Sequence, residues 1–330
     1  MFTFGAIDPA FGPVAPETGT LLIGLVVETL FHDSTVFFAL ISGLLFTRVL
    51  GDRGWPSFFR SKLLNVAMPY LVVSALISLY PSDPVTFRLT PFSGSGTDYL
   101  AQLGTNLVTG GAFFHLWYIP VLFVLYALTP AVLWLLMRPS AAPLVWAIVT
   151  APLLASRVWP DLSWTNPVYF LGPYTIGMWA GLNYDAALAW VGRHRGALTA
   201  VAVAFSVAIA AMFVMDIDKA GPVSLRESAW YVQKLALSGV ALAWFASRGG
   251  SRSRLLDPLA TFAFPIYFIH GYVLVVVCEL LLNGGITRLS PLAIFLGGFA
   301  LWMVAAEISI AVASGARALL GPRSRLIIGA

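Results

Sequence analysis

Charge is what this sequence has least of. Only 10% of its 330 residues are Asp, Glu, Lys or Arg, against 59% that are hydrophobic. A soluble domain carries about 25% charged residues, so the chain lacks the side chains needed to coat a soluble globule. Its mean hydropathy of +0.85 agrees. An ordinary cytosolic enzyme, a disordered chain and a nucleic-acid module are all excluded. The isoelectric point near 9.3 comes from a net charge of only +4, and no nucleic-acid partner is expected. Cysteine is nearly absent: Cys278 stands alone in an apolar run, which excludes a disulfide framework and a cysteine metal site. No GxSxG elbow, P-loop, HExxH or dinucleotide fingerprint occurs, so serine-hydrolase, nucleotide and zinc chemistry have no footing.

What is present is apolar runs. A helix crosses the hydrocarbon core in about 20 residues, and nine such runs are predicted: 34–50, 63–80, 114–137, 142–156, 165–182, 196–215, 227–246, 259–281 and 290–316. The fourth and fifth are short or interrupted by Pro. Isolated strands cannot satisfy their backbone groups in lipid, so the expected fold is an all-α transmembrane bundle forming a single domain. Basic residues set its orientation. Thirteen Lys and Arg fall in the loops at 48–62, 138, 193–195, 248–254 and 317–325. Arg88, Arg157, Lys219, Arg226 and Arg288 occupy the opposite loops, and Lys234 lies within a span. The richer side is expected to be cytoplasmic, with residues 317–330 as a cytoplasmic tail, in a bacterial-type inner or plasma membrane.

An odd number of spans ending inside places the N-terminus outside, and residues 1–47 hold no Lys or Arg. Met1 to Thr20 has no basic n-region and no apolar core, so it does not read as a signal peptide. It reads as an external segment, residues 1–33, and the expectation is that one span precedes Met1. Thr20 to Phe31, closed by Glu28, His32 and Asp33, is predicted to be an external helix lying at the interface. The loop from Pro81 to Phe113 is predicted to hold a short helix at Tyr99–Val108.

Four stretches resemble signatures of the acyltransferase 3 family of membrane proteins. Residues 34–46 (Ser-Thr-Val-Phe-Phe-Ala-Leu-Ile-Ser-Gly-Leu-Leu-Phe) are similar to its "FFxISGyLf" span. Phe58, Phe59, Arg60, Lys62 and the pair Pro69–Tyr70 look like its basic loop and the span entry that follows. His115-Leu-Trp-Tyr-Ile-Pro through Tyr126 to Pro130 resembles its "HLWFL…Y…P" span, and Phe264-Pro-Ile-Tyr-Phe-Ile-His270 its "fxIYLxH" span. The resemblance covers roughly residues 20 to 320. It implies ten spans and transfer of an acyl group, often acetyl, from cytoplasmic acyl-CoA to a hydroxyl of a carbohydrate or lipid-linked glycan outside. Acyl-CoA is then a co-substrate, and no bound cofactor or metal is expected. The family places its catalytic base, a His, in a first span that has no counterpart here.

His115, at the outer mouth of its span beside Trp117 and Tyr118, is the first candidate for chemistry. Its imidazole can move a proton near neutral pH, and O-acyl transfer needs a base or an oxyanion donor. The plainer role is a histidine in an interfacial aromatic belt. His270, near the middle of its span, must find a polar partner in the bundle. It is a second catalytic candidate or a structural hydrogen bond to Tyr267 or Ser42. His32 and His194 read as loop residues. Among ionisable groups within spans, Glu279 and Lys234 are expected to reach the interface. Glu307 is expected to face the bundle interior. Arg48, Arg60 and Lys62 are the candidates for the CoA phosphates, with topology alone, or lipid head groups at Arg48 and Arg53, as the alternative. Ser42-Gly43 reads first as helix packing, or else as a place where a thioester arm could pass. Trp159, Trp164 and Trp230 could stack on sugars or anchor the interface.

Two rivals stay open at this point. One is a transporter or flippase, to which Glu307 and the Pro-broken run at Pro167 and Pro173 lend something. The other is an inactive relative that only scaffolds an export complex.

Overall fold

The computed structural model describes residues 18–50, 54–81, 89–157, 162–249, 253–254, 256–284 and 290–329. The expectations placed on the segment before Thr18 and on Arg53, Arg88, Trp159, Arg252 and Arg288 lie outside the described residues. About 82% of the described residues are helical. Its helices are α1 (Thr18–Phe31), α2 (Thr35–Leu45), α3 (Trp55–Lys62), α4 (Met68–Ser78), α5 (Gly96–Thr109), α6 (Tyr118–Leu136), α7 (Ala142–Thr150), α8 (Thr165–Leu182), α9 (Tyr184–Arg193), α10 (Arg195–Val214), α11 (Leu225–Ser247), α12 (Leu256–Thr261), α13 (Ala263–Asn283), α14 (Pro291–Leu320) and α15 (Ser324–Ile328). One two-residue hairpin interrupts the helical pattern, pairing Lys219–Ala220 with Val223–Ser224.

Each of the nine predicted runs is helical over most of its length, and among the described residues six stretches are long and apolar enough to cross a membrane: Leu21–Val49, Trp55–Ser78, Tyr118–Leu136, Arg195–Val214, Ala263–Leu281 and Pro291–Ile328. The helix Pro139–Leu153 is shorter. α8 and α11 fall out of that set because they are rich in polar groups, many of them buried, including Asn166 and Thr175 in α8 and Arg226, Gln233 and Lys234 in α11. α8 also runs unbroken through Pro173, so the discontinuity that favoured a transporter is not there. Two π-helical stretches, Phe46–Leu50 and Leu63–Ala67, continue α2 and precede α4. Such turns are frequent at functional sites, and here they bracket the basic loop.

By contacts the chain forms two units: one of Met1–Gly24, Pro56–Pro120 and Arg252–Ala330, the other of Leu25–Trp55 and Val121–Ser251. In the second unit α2 packs against α8 almost backbone to backbone. A methyl group added at Gly43 would overlap the Tyr174 carbonyl, one at Gly177 the Leu40 carbonyl, and one at Gly181 the Thr47 hydroxyl. Thr47 Oγ1 donates across this contact to Met178 O at 2.9 Å. Gly43 is therefore a packing residue, and no room remains beside it for a thioester arm. Gly43→Val is expected to destabilise the protein at the upper end of the about 1–3 kcal/mol typical of overpacking, read as a lower Tm in detergent.

The same unit shows why α1 stops where it does. The last four carbonyls of a helix have no partner within it. Here Glu28 O accepts from Trp230 Nε1 at 3.0 Å, Thr29 O from Gln233 Nε2 at 3.0 Å, Leu30 O from Lys234 Nζ at 2.8 Å, and Phe31 O from Ser34 Oγ at 2.6 Å. Positions 230, 233 and 234 share one face of α11, so a single helix caps three successive carbonyls. Lys234 also places its cation at the negative end of α1. Two expectations are corrected here. Lys234 does not reach an interface but is fully buried, and Trp230 neither stacks on sugars nor anchors a surface, being 5% exposed. The interfacial helix expected at 20–31 is pinned at its end by α11. Lys234→Met strips Leu30 O and Gln233 Oε1 of their donor and is expected to cost about 1–3 kcal/mol, measurable by thermal unfolding.

In the first unit α4 carries α5, which covers the sequence range predicted for the loop helix. A capping box starts α5: Ser95 Oγ accepts from Asp98 N and Asp98 Oδ2 from Ser95 N, at 3.2 and 2.9 Å. Gly110 ends it in the left-handed conformation, φ +73°. Tyr70 donates to Asn106 O and Leu107 O, both at 3.0 Å, and Tyr99 to Ala75 O at 2.7 Å. α13 packs against α14, and α15 folds back onto α4 with Ser324 fully buried. The tail expected at 317–330 is thus helix through much of its length.

Candidate functional site

His270 is the eighth residue of α13, an apolar helix rich in β-branched and aromatic side chains, whose helical form is imposed by the apolar surroundings rather than by intrinsic propensity. Its Nδ1 lies 2.8 Å from Ile266 O and 3.0 Å from Tyr267 O. Nδ1 therefore carries the proton, and the Nε2 of the neutral ring holds the lone pair. His115 comes from a different segment, the run of turns between α5 and α6. There Leu116 N donates to Phe113 O and Ile119 N to Leu116 O, each at 3.0 Å. The two imidazoles approach to 4.7 Å between ring centroids, tilted by 51°. Tyr267, one helical turn before His270, donates its hydroxyl to His115 O at 2.5 Å and sets its ring edge-on to the His115 imidazole at 5.3 Å. Phe113 and Phe114 flank the same imidazole at 5.5 and 5.2 Å.

Both ring nitrogens of His115 are shielded from solvent, and among the described residues neither has a partner in full hydrogen-bond geometry, although the Tyr267 backbone approaches the ring. A buried polar group without a partner costs free energy, and such orphans in native proteins call for an explanation in function or in a bound group. The site thus offers a lone pair on His270 and donor and acceptor capacity on His115, among the rings of Phe113, Phe114 and Tyr267. That set can take up a proton and hydrogen-bond a developing oxyanion.

Of the sequence candidates, the structure brings His115, His270 and Tyr267 together. Trp117 and Tyr118 flank the same turn, their rings edge-on at 5.9 Å. Gly271 was missed. A methyl group there would overlap His115 Cε1 and Nδ1, and the only sequence sign was a lone glycine within an apolar helix. Arg60 is exposed and Lys62 half-buried, its Nζ 5.4 Å from the Phe58 ring centroid. Arg48 belongs to the other unit, is exposed, and stacks its guanidinium over Tyr184 at 4.8 Å. Ser42 is within hydrogen-bond reach of the Tyr126 hydroxyl. Glu307 is a correction. The buried stripe of α14 is Ala305, Ala306, Ser309 and Ala313, and Glu307 projects from its exposed side. Among the described residues no three His, Cys, Asp or Glu side chains cluster as a metal site would require.

The second unit holds an ionic cluster that sequence reading also missed. Arg157 Nη1 donates to Asp33 Oδ1 at 2.8 Å, its Nε to Glu227 Oε1 at 3.1 Å, and its backbone N–H to Glu227 Oε2 at 2.8 Å. Tyr169 donates to Asp33 Oδ2 and to Glu227 O. Burial works against the Arg157 charge, but Asp33, Tyr169 and Glu227 outweigh it and hold the guanidinium above its ordinary range. Asp33 adopts φ +59°, which Asp tolerates better than most residues. Nearby, His32 Nδ1 lies 2.9 Å from Glu28 Oε2, and its ring stacks on Trp230 at 3.9 Å. With every strong charge paired, the cluster serves as a clamp.

One family model, described as an acyltransferase domain, matches residues 4–308. No curated protein and no solved structure matches the chain.

Proposed function

This chain belongs to the acyltransferase 3 family, and from that premise we propose that it moves an acyl group, acetyl first among candidates, from acyl-CoA to a hydroxyl of a carbohydrate or lipid-linked glycan. In coarser terms, membership and the long apolar helices make it a multi-pass membrane acyltransferase. The finer reading adds nine crossings of a bacterial-type inner membrane, a cytoplasmic C-terminus and an external acceptor, all supported by the asymmetry of basic residues. Arg60 and Lys62 in the first unit, and separately Arg48 in the second, are the proposed cations for CoA phosphates.

One observation carries the reading. His115 and His270 come from two separate family-like stretches 155 positions apart, and their rings meet at 4.7 Å. In the proposed reaction the acceptor oxygen attacks the thioester carbonyl. A C–O bond forms, the C–S bond breaks, the hydroxyl proton passes to an imidazole, and the thiolate leaves and is protonated.

The test uses membrane vesicles from cells expressing the full chain, given acetyl-CoA labelled in its acetyl group. Hydroxylamine-labile label should accumulate in the membrane glycan or lipid fraction, and free CoA should appear with it. Solute movement driven by an ion gradient, without consumption of acetyl-CoA, would overturn the reading in favour of a transporter.

A further inference from the structure

Resting on that reading, we propose that Gly271 is a positioning residue: by lacking a side chain it seats the His115 imidazole beside His270, so that His115 offers an N–H to the oxyanion while His270 Nε2 accepts the hydroxyl proton. The geometry supplies the argument. Gly271 is the one glycine within α13. Glycine inside a helix is destabilising relative to alanine, so its presence needs a reason. A left-handed backbone is not that reason, because Gly271 is absent from the positive-φ residues. Space is. A methyl group at this position would overlap Cε1 and Nδ1 of His115 and lie 3.2 Å from Phe113 Cδ1. In α14, by contrast, added methyls at Gly297, Gly298 and Gly315 would meet nothing within 4 Å.

His115 has little freedom to yield. Its carbonyl is held by the Tyr267 hydroxyl, and the rings of Phe113, Phe114 and Tyr267 close around the imidazole. The roles of the two histidines follow from their hydrogen bonds. Two backbone carbonyls hold the proton on His270 Nδ1, leaving Nε2 as the acceptor. Both nitrogens of His115 are buried, with only the Tyr267 backbone approaching them and no partner in full hydrogen-bond geometry, so its N–H can turn to charge that develops only during the reaction, where such donors are most effective.

The test is a double-mutant cycle in the vesicle assay with labelled acetyl-CoA, using Gly271→Ala, His115→Ala and the two combined. Gly271→Ala alone should lower kcat by about 10²–10³-fold, the range for loss of one oxyanion donor, with the KM for acetyl-CoA changed by less than about threefold, since uniform binding is untouched. With the ring already removed, adding Gly271→Ala should change the rate by less than about twofold, because coupled residues are not additive. An equal loss in both backgrounds overturns the proposal, as does a Gly271→Ala protein with wild-type kcat. If Gly271→Ala alone does not fold, recovery of folding in the double variant supports the seat, and failure of both variants to fold overturns it. A wild-type protein that transfers no acyl group overturns the function itself, so the two failures are distinguishable.

Discussion

Replacing His270 with alanine should lower the rate of acyl transfer by about 10²–10⁴-fold, the usual contribution of a positioned acid–base group, with little loss of folded protein. The second half of that expectation comes from its bonding. Nδ1 reaches only Ile266 O and Tyr267 O, carbonyls of its own helix, so removing the ring strands no distant partner. His270→Asn sharpens the result. Its amide can still donate near the Nδ1 position, but it has no basic nitrogen in place of Nε2. If His270→Asn is as impaired as His270→Ala, the lost function is proton transfer. Near-wild-type activity in His270→Asn would mean that the residue serves the helix alone.

Arg157→Met should be the most damaging change outside the histidine pair. Asp33 has no exposed side-chain surface and Glu227 only 15%, and both would lose their cation. Removing one partner of a buried ion pair costs about 3–5 kcal/mol, because the remaining charge stays desolvated. The expected readout is a sharp fall in Tm and in the yield of detergent-extracted protein. Asp33→Asn added to Arg157→Met should recover part of the loss, since one uncompensated charge is removed. If Arg157→Met melts with the wild type, the cluster contributes nothing measurable to stability.

Much of the candidate site was legible because its chemistry lies in short local words. His115 stands in His-Leu-Trp-Tyr and His270 in Ile-Tyr-Phe-Ile-His, and each could be singled out without knowledge of the fold. The Arg157 clamp could not. Its partners lie 124 and 70 residues away, and each reads locally as a loop or helix-end charge. Glu307 shows a different limit. Hydropathy marks an apolar helix but not its rotation, and the small residues Ala305, Ala306, Ser309 and Ala313 decide which side is buried. Lys234 was misplaced for a related reason. An ammonium in an apolar run ordinarily extends to the interface, unless another helix ends beside it with carbonyls to satisfy.

By itself the sequence determined that this protein is a membrane helical bundle, where its apolar helices fall, and which histidines could carry chemistry. Those properties depend on composition and local pattern, which survive in one dimension. Only the tertiary structure decided that the two imidazoles meet, that Gly271 makes room for one of them, that α11 caps α1, and that Arg157 holds Asp33 and Glu227. Each of these is a contact between segments far apart in the chain. Whether such groups meet is set by helix rotation and close packing, and neither is encoded in any single stretch of residues.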